Sequence, residues 1–282
     1  MSLRDQRRDR APTRWRARGE SLALPIAIVA LTLVALLTVF AWLWWKGRQV
    51  AVATDPATLC LVGRKPPEVA VILIDVSDRF TDPQTLEIRN HLAREQGRLP
   101  QFGLVEVYTV DRLGRRVTTP VFHLCNPGTG VDANPAYQNP ELAKRRWLKF
   151  ADSLTAEIGR QVALPHAGTS PIFEAIQATA LRTFGRPEYD SVPKRLVIIS
   201  DLLQHTPGGM SMYSGIPSFD AFVSTPYFSQ VRADLHDVSV YIYYLIRSDV
   251  ATQSRFHLKF WEAYFRYQGA IVESLQKVFG DK

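Results

Sequence analysis

The chain predicts an α/β fold: a Rossmann-like, doubly wound, mostly parallel sheet with one antiparallel edge strand, joined to one N-terminal transmembrane helix. Three observations predict it. Val69–Ile74 and Leu196–Ile199 are unbroken Val/Ile/Leu/Ala runs, the composition of strands buried on both faces. Helical and strand-like segments alternate downstream of residue 68, the order that builds a largely parallel sheet. Ahead of them, Leu22 to Trp45 is an uncharged run of 24 residues, enough for a helix to cross the hydrocarbon core, which takes about 20.

In chain order, residues 1–21 form an Arg-rich tail in which seven arginines meet three acidic residues, a balance of +4 out of the formal +7 of 282 residues. Such flanks stay cytoplasmic, so the basic excess reads as a topology signal and not as a nucleic-acid surface. Residues 22–45 form the transmembrane helix, closed by Trp42, Trp44 and Trp45 and then Lys46 and Arg48, as aromatic rings sit at a membrane interface. The competing reading is a cleaved signal peptide ending at Ala51-Val52-Ala53. The apolar run exceeds the roughly 7–15 residues of a signal core, and two cations intervene. The expected location is a bacterial inner membrane, with the lipid bilayer around the helix and the C-terminal domain in the periplasm.

Residues 46–67, with Gly47, Pro56, Gly63, Pro66 and Pro67, read as a tether, and residues 68–282 as the folded domain. The domain is expected to run as strand 69–77, helix 82–97, strand 103–111, strand 117–124, helix 140–162, helix 171–184, strand 195–200, strand 238–246 and helix 254–268. Thr81-Asp82-Pro83-Gln84 is a capping box with proline in the first turn. Gly114 marks a hairpin that makes the following strand antiparallel. Phe256, Phe260, Ala263, Tyr264 and Tyr267 recur at helical spacing and read as a core stripe. The loops 126–139 and 205–229 exceed what a connector needs, a length usually tied to function or disorder.

Both cysteines, Cys60 and Cys125, lie beyond the span. In an oxidising compartment they are expected to pair; the alternative is two buried thiols.

The chemistry-bearing residues lie where the strands end. In open parallel sheets, ligands sit beyond the carboxyl ends of the strands. Asp75-Val76-Ser77-Asp78-Arg79 follows the first strand, Gly168-Thr169-Ser170-Pro171-Ile172-Phe173-Glu174-Ala175 opens a helix, and Ile199-Ser200-Asp201 ends a later strand. In this order the three segments resemble the von Willebrand factor type A (vWA) domain over residues 68–270. That resemblance implies a metal-ion-dependent adhesion site with Asp75, Ser77, Ser170 and Asp201 as ligands, and Thr169 or Asp78 as further oxygen donors. Arg79 stands where the family has Ser, so the site is degenerate. The cation implied is Mg²⁺, or Mn²⁺ or Ca²⁺, held by a few carboxylates and hydroxyls with a position open to a partner's acidic group.

The expected function is a protein-interaction domain in an envelope complex. Arg79, Met210, Met212, Tyr213 and Phe219 are expected to meet a protein partner. The alternative is a metal-free scaffold, and more remotely a metal-dependent phosphohydrolase. No Gly-Lys-Ser/Thr phosphate loop, Gly-x-Ser-x-Gly elbow or His-Glu-x-x-His occurs, so no enzyme activity is expected. His91, His123, His166, His205, His236 and His257 show no ligand spacing. Lys144, Arg145, Arg146 and Lys149 read as a solvated helix face, and no nucleic-acid partner is expected.

Overall fold

The computed structural model describes residues 23–50, 53–110, 119–131, 139–163 and 168–280. The Arg-rich tail, the hairpin glycine Gly114 and His166 lie outside these residues. The chain divides into two compact units, Met1–Ala51 and Val52–Lys282.

The first unit is α1 (Ala23–Val50). Its stretch Leu24–Lys46 has a mean hydropathy of 2.7 and is long and apolar enough to cross a membrane, which fits either an anchor or a signal sequence.

The second unit is the α/β domain. Its elements are β1 (Val69–Ile74), α2 (Asp82–Arg98), β2 (Leu104–Thr109), β3 (Phe122–Cys125), α3 (Pro140–Val162), α4 (Ile172–Thr179), β4 (Lys194–Ser200), α5 (Phe219–Val223), α6 (Pro226–Val231), β5 (Val238–Leu245), α7 (Arg255–Tyr267) and β6 (Ile271–Val278). The sheet order is β3-β2-β1-β4-β5-β6. All pairings are parallel except β2 with β3. Strand order reverses between β1 and β4, the place where open α/β sheets bind ligands.

Alternate residues of β1 feed two cores. Val69, Val71 and Leu73 pack with α4 to α7, while Ile72 and Ile74 pack with Ile88 and Leu92 of α2 and Phe150, Leu154 and Ile158 of α3. Burying each such side chain contributes about 2 kcal/mol, which explains why β1 and β4 carry continuous apolar runs. The capping box of α2 is formed: Thr81 Oγ1 accepts from Gln84 N at 3.3 Å, and Gln84 Oε1 accepts from Thr81 N at 3.1 Å. This cap contributes about 1 kcal/mol and begins α2 close behind the Asp75 loop.

Several boundaries differ from the sequence reading. β1 stops at Ile74, because the Asp75 side chain captures Ser77 N and turns the chain. The helix expected over 171–184 passes at Ala180–Phe184 into a π-turn. The stripe on α7 is shifted: Phe256 is 76% and Tyr267 51% exposed, whereas His257, Phe260, Trp261, Tyr264 and Phe265 are buried. A histidine at a core position disguised that face. β6 was not expected, since its half-exposed edge carries Glu273, Gln276 and Lys277 between the apolar residues.

Of the stretch read as a tether, residues 46–50 continue α1 and residues 53–67 belong to the second unit. Cys60 and Cys125 form a disulfide spanning 65 residues. Cys125 N also donates to Thr58 O at 2.8 Å, and Thr54 bridges Leu61.

Candidate functional site

β1 and β4 are hydrogen-bonded neighbours in register, Ile74 opposite Ile199, so the residues that follow them come together at one sheet edge. Asp75 and Asp201 are 3% and 1% exposed. Asp75 is surrounded by donors: its Oδ2 accepts from Ser170 Oγ at 2.8 Å and Ser200 Oγ at 2.7 Å, and its Oδ1 from Ser77 N at 3.1 Å. Ser170 reaches it because the segment before α4 pairs with the turn after β4. There Ser170 N donates to His205 O and His205 N to Ser170 O, at 2.8 and 2.9 Å. Thr169 makes no such contact with Asp75, and the half-buried His205 turns its Nδ1 to Ser211 Oγ.

Asp201 meets a cation. Its Oδ1 accepts from Leu203 N at 2.9 Å, and its Oδ2 accepts from Arg247 Nε at 3.0 Å. Arg247 lies two residues past β5, its side chain 12% exposed, and its Nη1 donates to Arg79 O at 2.6 Å. Gln253 fixes that arrangement: its Oε1 accepts from Arg247 N at 2.6 Å, and its Nε2 donates to Asp201 O and Leu245 O at 3.1 and 2.7 Å. Burial pushes the Asp201 carboxyl up to about 7, helped by the charge of Asp75 and opposed by Arg247.

The turn after Asp201 has Leu202 in the left-handed region, φ 58°, a conformation that costs a branched side chain about 1 kcal/mol or more. It is held by Ser200 Oγ, which accepts from Leu202 N at 2.8 Å, and by α7. Leu202 O accepts from His257 Nε2 and Trp261 Nε1, both at 2.9 Å. Burial pushes the His257 pKa down, and its Nδ1 accepts from Tyr244 Oη at 2.8 Å.

The residues expected to meet a partner separate into two groups. Arg79 is exposed, and Tyr213 is 45% exposed. Tyr213 Oη donates to Asp78 Oδ2 at 3.0 Å, tying the long loop to the β1 loop. Met210 is half-buried against the core. Met212 is fully buried, and Phe219 packs against Phe222, Phe228, Phe260 and Tyr267. Met212, in the short turn Met212–Ser214, is a core residue, and Phe219, at the start of α5, is half-buried against that core.

The donor set does not fit the divalent ion that the vWA resemblance implies. Arg79 brings no oxygen to the third loop position, and Asp201 Oδ2 is in contact with the Arg247 guanidinium. A unit charge 4 Å from such a cation is opposed by about 4 kcal/mol at an effective dielectric of 20, and a divalent ion by twice that. Among the described residues no group of three His, Cys, Asp or Glu side chains is placed to hold a metal. Ser200, Arg247 and Gln253 were missed in the sequence. The available signal was positional: three neighbouring parallel strands are followed within two residues by Asp, Asp and Arg.

The fold and site define a doubly wound α/β domain with a charge-compensated cluster at its topological switch point. No family model matches the chain, and no curated protein matches it in sequence. Among solved structures, the chain is similar to the conserved hypothetical protein BatB from Bacteroides thetaiotaomicron, at a TM-score of 0.33 and 11% identity, over 76% of this chain and 91% of that chain. A likeness at that level says nothing about function.

Proposed function

We propose that the chain is a membrane-anchored, vWA-like protein-interaction domain of an envelope complex, whose strand-end site works with Arg247 as its resident cation in place of a divalent ion. The observation that carries this reading is the Asp201 Oδ2 to Arg247 Nε contact at 3.0 Å, with the same guanidinium bound to Arg79 O. A buried carboxylate pair is repulsive unless a cation or protons compensate it; here a side chain supplies the charge. The rim beside it presents Arg79 and Tyr213, and Arg79 is suited to grip a partner's carboxylate bidentately. The apolar helix and the disulfide support an exported domain on an anchor, N-terminus inside.

Titrating the purified chain with Mg²⁺ and Mn²⁺ tests the metal question. The expected result is no saturable heat and no change in Tm, with chelator also without effect. Saturable heat that Asp75→Ala abolishes would restore the metal-dependent reading. For the partner, a photo-crosslinking residue at position 213 is expected to trap a protein in membranes, and Arg79→Glu to abolish the adduct. Reporter fusions after residue 50 test the topology.

A further inference from the structure

The amino-terminal ends of the strands carry a second polar cluster, independent of the reading above. Glu106 on β2 is 1% exposed. It accepts hydrogen bonds from Tyr108 Oη at 3.0 Å and Thr183 Oγ1 at 2.8 Å, and pairs with His123 Nδ1 at 2.9 Å. Burial raises its pKa, but these donors and the neighbouring His123 outweigh burial and leave it below the usual carboxylate range. The carboxylate is therefore ionised and only accepts, so His123 Nδ1 carries the proton. The ring is thereby oriented, as carboxylate-bound imidazoles are in built sites, and Nε2 makes no hydrogen bond among the described residues.

His123 lines a cavity of about 360 Å³ with Arg64, Lys65, Thr58, Glu188 and Tyr189. The segment that brings Arg64 and Lys65 here is stapled in place by the Cys60–Cys125 disulfide, whose two cysteines also line the cavity. Glu188 is the acidic group on the wall, and Arg186 Nη1 lies 3.7 Å from it. Two exposed cations, Arg64 and Lys65, thus line the space together with an oriented imidazole.

We propose that this cavity binds a phosphate group, from a phosphate ester in solution or a lipid headgroup, with Arg64 and Lys65 supplying charge and the His123 ring, held through Nδ1 by Glu106, on its wall. Two cations match a dianion better than a carboxylate, and charge-assisted hydrogen bonds to phosphate are among the stronger polar contacts.

The test uses the full chain in phosphate-free maltoside micelles, titrated calorimetrically with inorganic phosphate at constant ionic strength. Saturable binding with Kd of about 1 mM or tighter is expected. Arg64→Ala with Lys65→Ala, at exposed positions outside the core, is expected to weaken it at least tenfold, as is His123→Gln, which keeps a donor for Glu106. Parallel titrations with glycerol phosphate and short-chain phosphatidylglycerol separate the sources: tighter binding of the first supports a soluble ester, of the second a headgroup. No saturable binding of any of the three, or binding that survives Arg64→Ala with Lys65→Ala unchanged, overturns the proposal.

Discussion

The two ends of the sheet solve one problem in different ways. Asp201 at the carboxyl end and Glu106 at the amino end are each 1% exposed. Asp201 is compensated by a guanidinium from the neighbouring strand, and its ionisation is still shifted up by burial and by Asp75. Among the described residues no arginine is hydrogen-bonded to Glu106; three hydrogen-bond donors, and the charge of His123, hold its pKa down. The carboxyl end is thus a compact electrostatic cluster closed by residues that directly follow strands. The amino end depends on chain brought from far away and fastened covalently. Glu106 is met by hydrogen bonds and the neighbouring His123, whereas Asp201, with Asp75 nearby, is met by a guanidinium.

The largest effect expected is at the amino end. Replacing both Cys60 and Cys125 by Ser frees a loop of 65 residues, and the loss should be about 4 kcal/mol in the chain-entropy model, read from denaturant midpoints. A loss below 1 kcal/mol would mean that the segment docks without its staple.

At the carboxyl end, Arg247→Met leaves Asp201 buried without its cation. A loss of about 3 kcal/mol is expected at pH 8, and adding Asp201→Asn should recover most of it. If the double variant is no better than the single one, Arg247 serves the fold through Arg79 O and not through charge compensation.

The pH profile contrasts the two ends directly. Asp201 binds its proton more tightly in the folded state, so its contribution is full below the ordinary carboxylate range and is lost as pH rises through about 7. Glu106 runs the other way: its contribution is present above the ordinary carboxylate range and is lost as pH falls through its lowered pKa. Unfolding free energy measured against pH should therefore decline on both sides of a maximum. Asp201→Asn should flatten the alkaline limb and Glu106→Gln the acid limb.

The smallest effect concerns the rim. Tyr213→Phe removes the exposed bond to Asp78 and should cost about 0.5–1 kcal/mol. A loss above 2 kcal/mol would show that the loop is held chiefly by this contact and not by α5 and α6.

Much of the fold was legible because local rules agree with tertiary packing there. Thr81 and Gln84 cap a helix by themselves, and the apolar runs of β1 and β4 permit only doubly covered strands. Asp75 and Asp201 were legible because each directly follows such a strand, and Ser170 through the vWA resemblance, by its spacing to Ile172 and Ala175. Arg247 was not, since an arginine in Ile246-Arg247-Ser248-Asp249 has the composition of a solvated turn, and only the pairing of β4 with β5 brings it to Asp201. β6 escaped because an edge strand needs few apolar residues. Met212 was misjudged because an apolar loop side chain reads alike whether it folds inward or stays on the rim; in the structure it is fully buried.

The left-handed turn at Leu202 links the site to the far side of the domain. Its carbonyl oxygen takes both the His257 and Trp261 ring donors, one residue after Asp201, and those rings sit one helical turn apart on α7. Sliding or rotating α7 would vacate that oxygen and release a strained turn, so the helix and the carboxylate behave as one mechanical part. Through these two bonds α7 is tied directly to the peptide next to Asp201.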